Sequence, residues 1–557
     1  MREDPEPPTV TELLLARAAD DHPGLRFERR AWSWRQVVQE SADHAELLRA
    51  LRRPGRPFHV GVLLDNVPEF VFLLGAAALS GAVVVGLNSS RSPDGLARDI
   101  ALSDCHVVIT ESRHADLLRR AEIPADAVLT IDDPSWQRRI GEHRVREHRI
   151  AEHCTADYRG AEHRTAEHSP VPAGPDDLLM LIFTSGTSGE PKAVRCTHAK
   201  IAGPGAMLAN RFGLSAEDTA YLAMPLFHSN AIMAGWSVGL AAGATLALRR
   251  RFSASAFVDD VRRFGATYAN YVGKPLSYVM ATPPRADDRD NPLRIVYGNE
   301  GSGPDVSGFG DRFDCTVVDG FGSTEGGVAI SSDPHGPPGA LGLLPGGVSV
   351  LDSGTGRPCA VARFDADGRL TNPEEAIGEL VNTAGPGAFA GYYGDREATD
   401  ERLRGGMYWS GDLAYRDAAG YCYFAGRSSD WLRVDGENLG TGPVERVLNR
   451  HPGVVEAAVY AIPDPVVGDR IMAAVVSSGE PLDPREFAEF LDAQTDLAAK
   501  QHPRFVRIAA ELPRTPTHKV RKRDLAAEGL DCDDVVWVRA PGDGAYGELD
   551  RAASGDS

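Results

Sequence analysis

The chain has 557 residues, 42% of them hydrophobic and 25% charged, enough for one large globular core and a smaller one. Its formal net charge of -20 argues against a nucleic-acid partner, because binding a polyphosphate rests on an excess of basic side chains. An acidic protein that handles anionic small molecules has to concentrate positive charge locally, which directs attention to lysines and arginines inside glycine-rich motifs.

In chain order, Phe27–Trp32 reads as a strand, and Ser33 with Gln36 has capping-box spacing ahead of the apolar-periodic Val37–Leu51. A strand at His59–Leu64, a helix from Pro68, a strand at Ala82–Leu87, a helix after Ser92 and a strand at Cys105–Thr110 follow. Such alternation implies parallel sheet covered by helices. Phe70–Leu87 approaches membrane-span length, but Gly75, Ser80 and Gly81 interrupt it. A buried helix running into a strand is the expectation, with membrane contact at most peripheral. The dispersed cysteines, without a C-x-x-C pair, and an N-terminus lacking the basic-then-apolar signal pattern point to a cytoplasmic protein with reduced thiols.

Between Ile140 and His168 a Glu-His pair recurs at a step of five residues or a multiple of five. Five residues rotate a helical side chain by about 140° beyond a full turn, so successive histidines do not share a face. The segment, about 138–170, reads as a low-complexity insertion and not as a metal site. After Asp430 come a helix near Pro443–Asn449, strands at Val454–Ala461 and Ile471–Val476, a helix at Asp483–Asp492 and a strand at Phe505–Ala510. The Gly/Ala/Asp-rich tail from Ala540 is expected to fray.

Chemistry concentrates in the stretch Leu178–Lys192. An apolar strand empties into Thr184, Ser185, Gly186, Thr187, Ser188 and Gly189, closed by Pro191-Lys192. Glycines permit close backbone approach, hydroxyls and N–H groups donate to phosphate oxygens, and the lysine adds a point charge. The pattern is not a Walker loop, since no Gly-Lys-Ser/Thr closes it.

This loop resembles the phosphate loop of the adenylate-forming superfamily of acyl-CoA synthetases, peptide-synthetase adenylation domains and luciferases. Further motifs of that superfamily recur downstream in order. Asp319-Gly320-Phe321-Gly322-Ser323-Thr324-Glu325 is similar to its aromatic-Gly-x-Thr-Glu motif. The resemblance implies Phe321 on adenine, Thr324 on the α-phosphate and Glu325 on Mg²⁺. Tyr408-Trp-Ser-Gly-Asp412 resembles the motif whose aspartate holds both ribose hydroxyls. Gly426-Arg427 resembles the entry to the interdomain hinge, with Arg427 on ribose or phosphate. Pro513–Lys519 resembles the segment that carries the catalytic lysine, Lys519, although His518 stands where the family usually has glycine.

The stretches Asp430–Gly440, Tyr271–Tyr278 and Tyr297–Glu300 are similar to the fatty acid transport protein/very-long-chain acyl-CoA synthetase branch. By this resemblance residues 1–428 form a large α/β domain with parallel sheets that binds ATP and the acyl group. Residues 429–540 form a small mobile α+β lid, and 541–557 a flexible tail. His228 gates the acyl and thiol channels, while Trp236, Tyr271 and Gly298 line the acyl pocket. Ser429 and Asp430 form the hinge, and Gly436 and Glu437 flank a coenzyme A tunnel. The implied reaction activates a small-molecule carboxylic acid with ATP and Mg²⁺ to an acyl-adenylate, releases pyrophosphate and transfers the acyl group to coenzyme A. Two alternatives stay open: a ligase of specialised metabolism that adenylates a small acid or an oxyanion such as nitrite without coenzyme A, and a membrane-associated fatty acid uptake protein.

Overall fold

The computed structural model describes every residue except 1–6, 145–170, 186–190, 302, 334–335, 366–369, 428–430, 435–436, 465–467, 480, 495–496, 498–500, 515–519, 540–544 and 550–557. The chain divides into two compact units, Met1–Ala329 with Pro386–Glu401, and Ile330–Gly385 with Arg402–Ser557. The fold is mixed α/β, with parallel sheets in the first unit.

The first unit carries strands β1 (Pro23–Phe27), β2 (Arg30–Ser33), β3 (His59–Leu63), β4 (Val83–Gly86), β5 (Val107–Thr110), β6 (Val128–Thr130), β7 (Leu178–Ser185), β8 (Pro191–Thr197), β9 (Thr219–Leu222), β10 (Thr245–Leu248), β11 (Tyr268–Val272), β12 (Ile295–Asn299) and β13 (Thr316–Asp319). One sheet runs β13-β12-β11-β9-β10-β1-β2 and the other β6-β5-β3-β4-β7-β8. Each is parallel except at one edge, where β1/β2 and β7/β8 are antiparallel. The β1/β2 hairpin replaces the single strand expected at Phe27–Trp32, because Glu28 adopts a left-handed backbone (φ 52°) and turns the chain.

The Ser33–Gln36 capping box forms reciprocally and starts the helix Trp34–Leu51. The apolar run after Val67 is a helix, Pro68–Ser80, buried on all sides, that ends on Gly81 (φ 75°) and feeds β4. A helix apolar all round belongs in a core, which accounts for its membrane-like composition. No helix among the described residues is long and apolar enough to cross a membrane. Asn66 ties the two sheets together: its side chain donates to the carbonyls of Met224 and Arg249 and accepts from Leu226 N–H.

The second unit holds an antiparallel sheet built from Gly342–Leu343, Tyr421–Arg427, Met407–Arg416, Gly378–Asn382 and Val348–Leu351, and a mixed sheet centred on Gly468–Ser477 and Phe505–Ala509. Helices Thr441–Leu448 and Pro484–Asp492 cover the mixed sheet, packing Val444, Leu448, Phe487 and Leu491 against Val459 and Val475. Within the tail expected to fray, Tyr546–Glu548 pairs with Val535–Arg539, and the buried Tyr546 hydroxyl donates to the Pro503 carbonyl at 2.7 Å. One buried aromatic ring suffices to pin a segment whose composition is otherwise that of a loose end.

Candidate active site

In the first unit the candidate residues gather at the carboxyl ends of parallel strands, where open α/β sheets place their ligands. The phosphate loop joins two antiparallel strands with Thr184 opposite Lys192 and Ser185 opposite Pro191. The Thr184 hydroxyl is buried without a hydrogen-bond partner. A buried hydroxyl left unpaired is costly unless a ligand completes it. Lys192 is 11% exposed, its ammonium 4.0 Å from Glu401 and 5.2 Å from the centre of the Tyr392 ring. Gly186, Thr187, Ser188 and Gly189 lie outside the described residues, as does the Ser185 side chain.

Asp319 closes β13, and Gly320–Glu325 follow directly. Thr324 is buried, its hydroxyl 2.8 Å from that of Ser229. The Glu325 carboxylate accepts the Tyr392 hydroxyl proton at 3.0 Å, and its backbone carbonyl accepts the buried Lys200 ammonium at 2.7 Å. A half-exposed carboxylate with an oxygen to spare suits Mg²⁺, which takes one or two carboxylates and completes its shell with phosphate and water. Asp319 accepts from the Tyr271 hydroxyl at 2.5 Å and from Gly301 N–H at 2.9 Å. Burial pushes its carboxyl up to about 6, against the pull of those two donors, and burial together with Asp319 raises the Tyr271 phenol. The Gly301 N–H reaches Asp319 because Glu300 is left-handed (φ 65°), a conformation that costs energy away from glycine and collects at functional loops.

His228 caps the helical turn Ser229–Ala231 and accepts from Asn230 N–H at 3.5 Å. Behind it runs a chain of amides: Asn270 donates to Asn230, Asn230 to Asn299, and Asn299 to the Gly320 carbonyl, at 2.7, 3.1 and 2.7 Å. Tyr271 lines a cavity with Tyr221, Met224, Phe252, Phe257 and Leu276. Gly298 lies opposite Tyr271 on β12, and a Cβ there would fall 2.2 Å from the Tyr271 carbonyl oxygen. Trp236 is fully buried at the end of the π-helical turn Ile232–Trp236 and is not part of that cavity wall.

In the second unit Asp412 and Arg427, from motifs fifteen positions apart, are direct partners across two antiparallel strands. Gly411 (φ 75°) donates its N–H to the buried Glu379 carboxylate at 2.8 Å, and Arg404 holds the other Glu379 oxygen at 3.1 Å. Ser429, Asp430, Gly436 and Lys519 lie outside the described residues, and of Glu437 and Arg427 only the backbone is described. Lys522 pairs with Glu445 at 2.7 Å and donates to the Thr441 hydroxyl at 2.9 Å. Its helix, Lys522–Glu528, brings it there.

One buried cluster, Asp65, Glu111 and His114, brings three potential metal ligands together. Arg113, Arg250 and Arg251 already neutralise it, at 2.5 Å to Asp65, 2.5 Å to Glu111 and 3.2 Å to Asp65 respectively. It reads as an ion-pair knot where β3, β5 and β10 end.

Sequence reasoning missed Lys200, Tyr392 and the asparagine chain. Lys200 left one signal: a lysine in the first turn of a helix (His198–Arg211) opposes the helix dipole, a local conflict that usually has a reason elsewhere.

The chain resembles known proteins in both sequence and fold. The chain is 53% identical over 535 residues to the "Medium/long-chain-fatty-acid--CoA ligase FadD17" of Mycobacterium tuberculosis, covering 96% of this chain and 99% of that one. It is 45% identical over 536 residues to the "Steroid-22-oyl-CoA synthetase" of Rhodococcus jostii, covering 95% and 93%. Its fold superposes on ATP-bound MatB of Rhodopseudomonas palustris with a TM-score of 0.77 at 22% identity, covering 93% of this chain and 99% of that chain. The AMP-binding enzyme model matches residues 15–393 and its C-terminal domain model residues 443–519, spans that take in the loop, the Thr324–Glu325 turn and Lys519 alike, and the chain belongs to the AMP-binding enzyme family.

Proposed function

We propose that this chain is an AMP-forming acyl-CoA synthetase acting on a hydrophobic carboxylic acid, a medium- or long-chain fatty acid or the side-chain acid of a steroid. The observation that carries the reading is the near-full-length identity to ligases so named.

In the first half-reaction a substrate carboxylate oxygen bonds to the α-phosphorus of ATP, and the bond to pyrophosphate breaks. In the second the coenzyme A thiolate adds to the acyl carbonyl and AMP leaves. Both reactants of the first step are anions, so preorganised positive charge has to come from the protein. Lys192 and the Thr184 hydroxyl meet phosphate oxygens, Thr324 the α-phosphate, Asp412 the ribose hydroxyls, and Lys519 the developing charge between carboxylate and α-phosphate. Glu325 holds Mg²⁺, which neutralises phosphate charge. Residues 429–540, which include the span matched by the C-terminal family model, act as the mobile lid that withdraws Lys519 before thioester formation.

The test is pyrophosphate release over a panel of fatty, steroid-derived and short polar acids, with and without coenzyme A. Release that needs a hydrophobic acid, with thioester formed only when coenzyme A is present, is the expected result. Preference for a small polar acid, or turnover without a thiol acceptor, would favour the specialised-metabolism alternative.

A further inference from the structure

No role above uses the most deeply buried lysine among the described residues of the site. Lys200 is 3% exposed. Its Nζ donates to the Arg195 carbonyl on β8 at 3.3 Å and to the Glu325 carbonyl at 2.7 Å. Both partners are backbone oxygens, and no ion pair accompanies them among the described residues. A neutral amide or hydroxyl would satisfy two carbonyls, whereas a buried ammonium without a carboxylate partner is among the costliest groups a core can hold. The lysine sits between two pieces of the nucleotide site, the strand that carries Lys192 and the turn that carries Glu325. Gly326 closes this turn with φ 72°, and a Cβ there would lie 3.3 Å from Lys200 Cε. The Glu325 side chain is steadied separately by Tyr392.

We propose that Lys200 is the positioning residue of Glu325. Its ammonium anchors the Glu325 carbonyl to β8 and so aims the carboxylate at the metal of Mg²⁺–ATP. The inference rests on the reading of Glu325 as the metal-holding carboxylate.

The experiment is calorimetric titration of ATP into the full chain, once with Mg²⁺ and once with EDTA, for the wild type, Lys200→Met, Lys200→Arg and Glu325→Gln. Losing an outer partner of a metal ligand typically costs about 10–100-fold in metal affinity. Lys200→Met is therefore expected to cut the Mg²⁺-dependent gain in ATP affinity at least about tenfold, to leave binding in EDTA nearly unchanged, and to match Glu325→Gln in direction, while Lys200→Arg recovers part of the gain. An equal loss with and without Mg²⁺ makes Lys200 a structural strut and overturns the proposal. Should Lys200→Met fail to fold, Lys200→Gln keeps a polar end on a side chain too short to tie the Glu325 carbonyl to β8. A Mg²⁺-selective loss in that variant supports the proposal, and unchanged Mg²⁺ dependence overturns it. A loss in Glu325→Gln without one in Lys200→Met overturns the inference alone. Wild-type ATP affinity that ignores Mg²⁺, with Glu325→Gln silent, overturns the Glu325 reading and the inference with it.

Discussion

Tyr271→Phe removes a single oxygen, and the structure fixes what that should do and at which pH. The Tyr271 hydroxyl donates to Asp319 at 2.5 Å, and once it is gone the Gly301 N–H is the donor that stays among the described residues. A hydrogen bond to a charged group contributes about 1.5–3 kcal/mol, against about 0.5–1.5 kcal/mol for a neutral one. At about 1.4 kcal/mol per pH unit, the Asp319 carboxyl in the variant should titrate roughly one pH unit higher than in the wild type. Asp319 already titrates at about 6 when folded, against an ordinary value of 3.8. The native state therefore holds an extra proton between these values, and stability falls as pH rises through them. In the variant the fall continues above 6. The destabilisation should accordingly be small at pH 5 and larger by about 1–2 kcal/mol at pH 8.5. Urea unfolding of both proteins at the two pH values measures it, with Asp319→Asn and the double variant completing a cycle in which the pH-dependent part vanishes. Equal destabilisation at pH 5 and pH 8.5 would refute the coupling.

Lys519→Ala should slow acyl-adenylate formation by about 10²–10³ while sparing thioester formation from presynthesised adenylate, measured as the two half-reactions apart; a parallel fall in both removes its proposed role. Arg523→Ala is the silent control, being exposed, whereas Lys522→Ala should lower stability by about 1 kcal/mol because it breaks the contacts to Glu445 and Thr441. Lys192→Ala should slow pyrophosphate release and leave acid binding intact, which equilibrium dialysis of the acid would check. Deleting Arg144–His168 should leave the melting temperature and turnover near normal, since Arg144, the one residue of that stretch with a described contact, pairs with Asp43 through a side chain that is 75% exposed.

Much of this site was legible because its residues come in contiguous runs whose chemistry is local. A strand, a hydroxyl-rich loop and a lysine sit within fifteen positions, as do an aspartate, a glycine turn and a glutamate within seven. Capping was legible for the same reason: Ser33 and Gln36 act on each other three residues apart. Contacts between distant segments were not. Nothing in the spacing of Asn230, Asn270 and Asn299 announces that a helical turn and two strands converge to form one amide chain, and Tyr392 meets Glu325 across 67 positions. The β1/β2 hairpin was missed because its turn uses Glu28 in place of the glycine or asparagine that usually marks one. Nor does the charge density of the basic stretch around Lys522 reveal the carboxylate supplied to it by a helix 77 positions earlier.

The pairing of β7 with β8 has a bearing on how this loop can vary over evolutionary time. A side chain's face alternates with every residue of a strand, and both flanks of the loop are locked into one register, Thr184 on Lys192. Substitutions between them leave that register untouched. Adding or removing one residue within β8, between Lys192 and the rest of the ladder, would turn Lys192 to the opposite face of the sheet, away from Tyr392 and Glu401. Among descendants of this chain the strand that carries Lys192 is therefore fixed in length by its hydrogen-bond ladder, since one residue more or fewer reverses the face the lysine occupies.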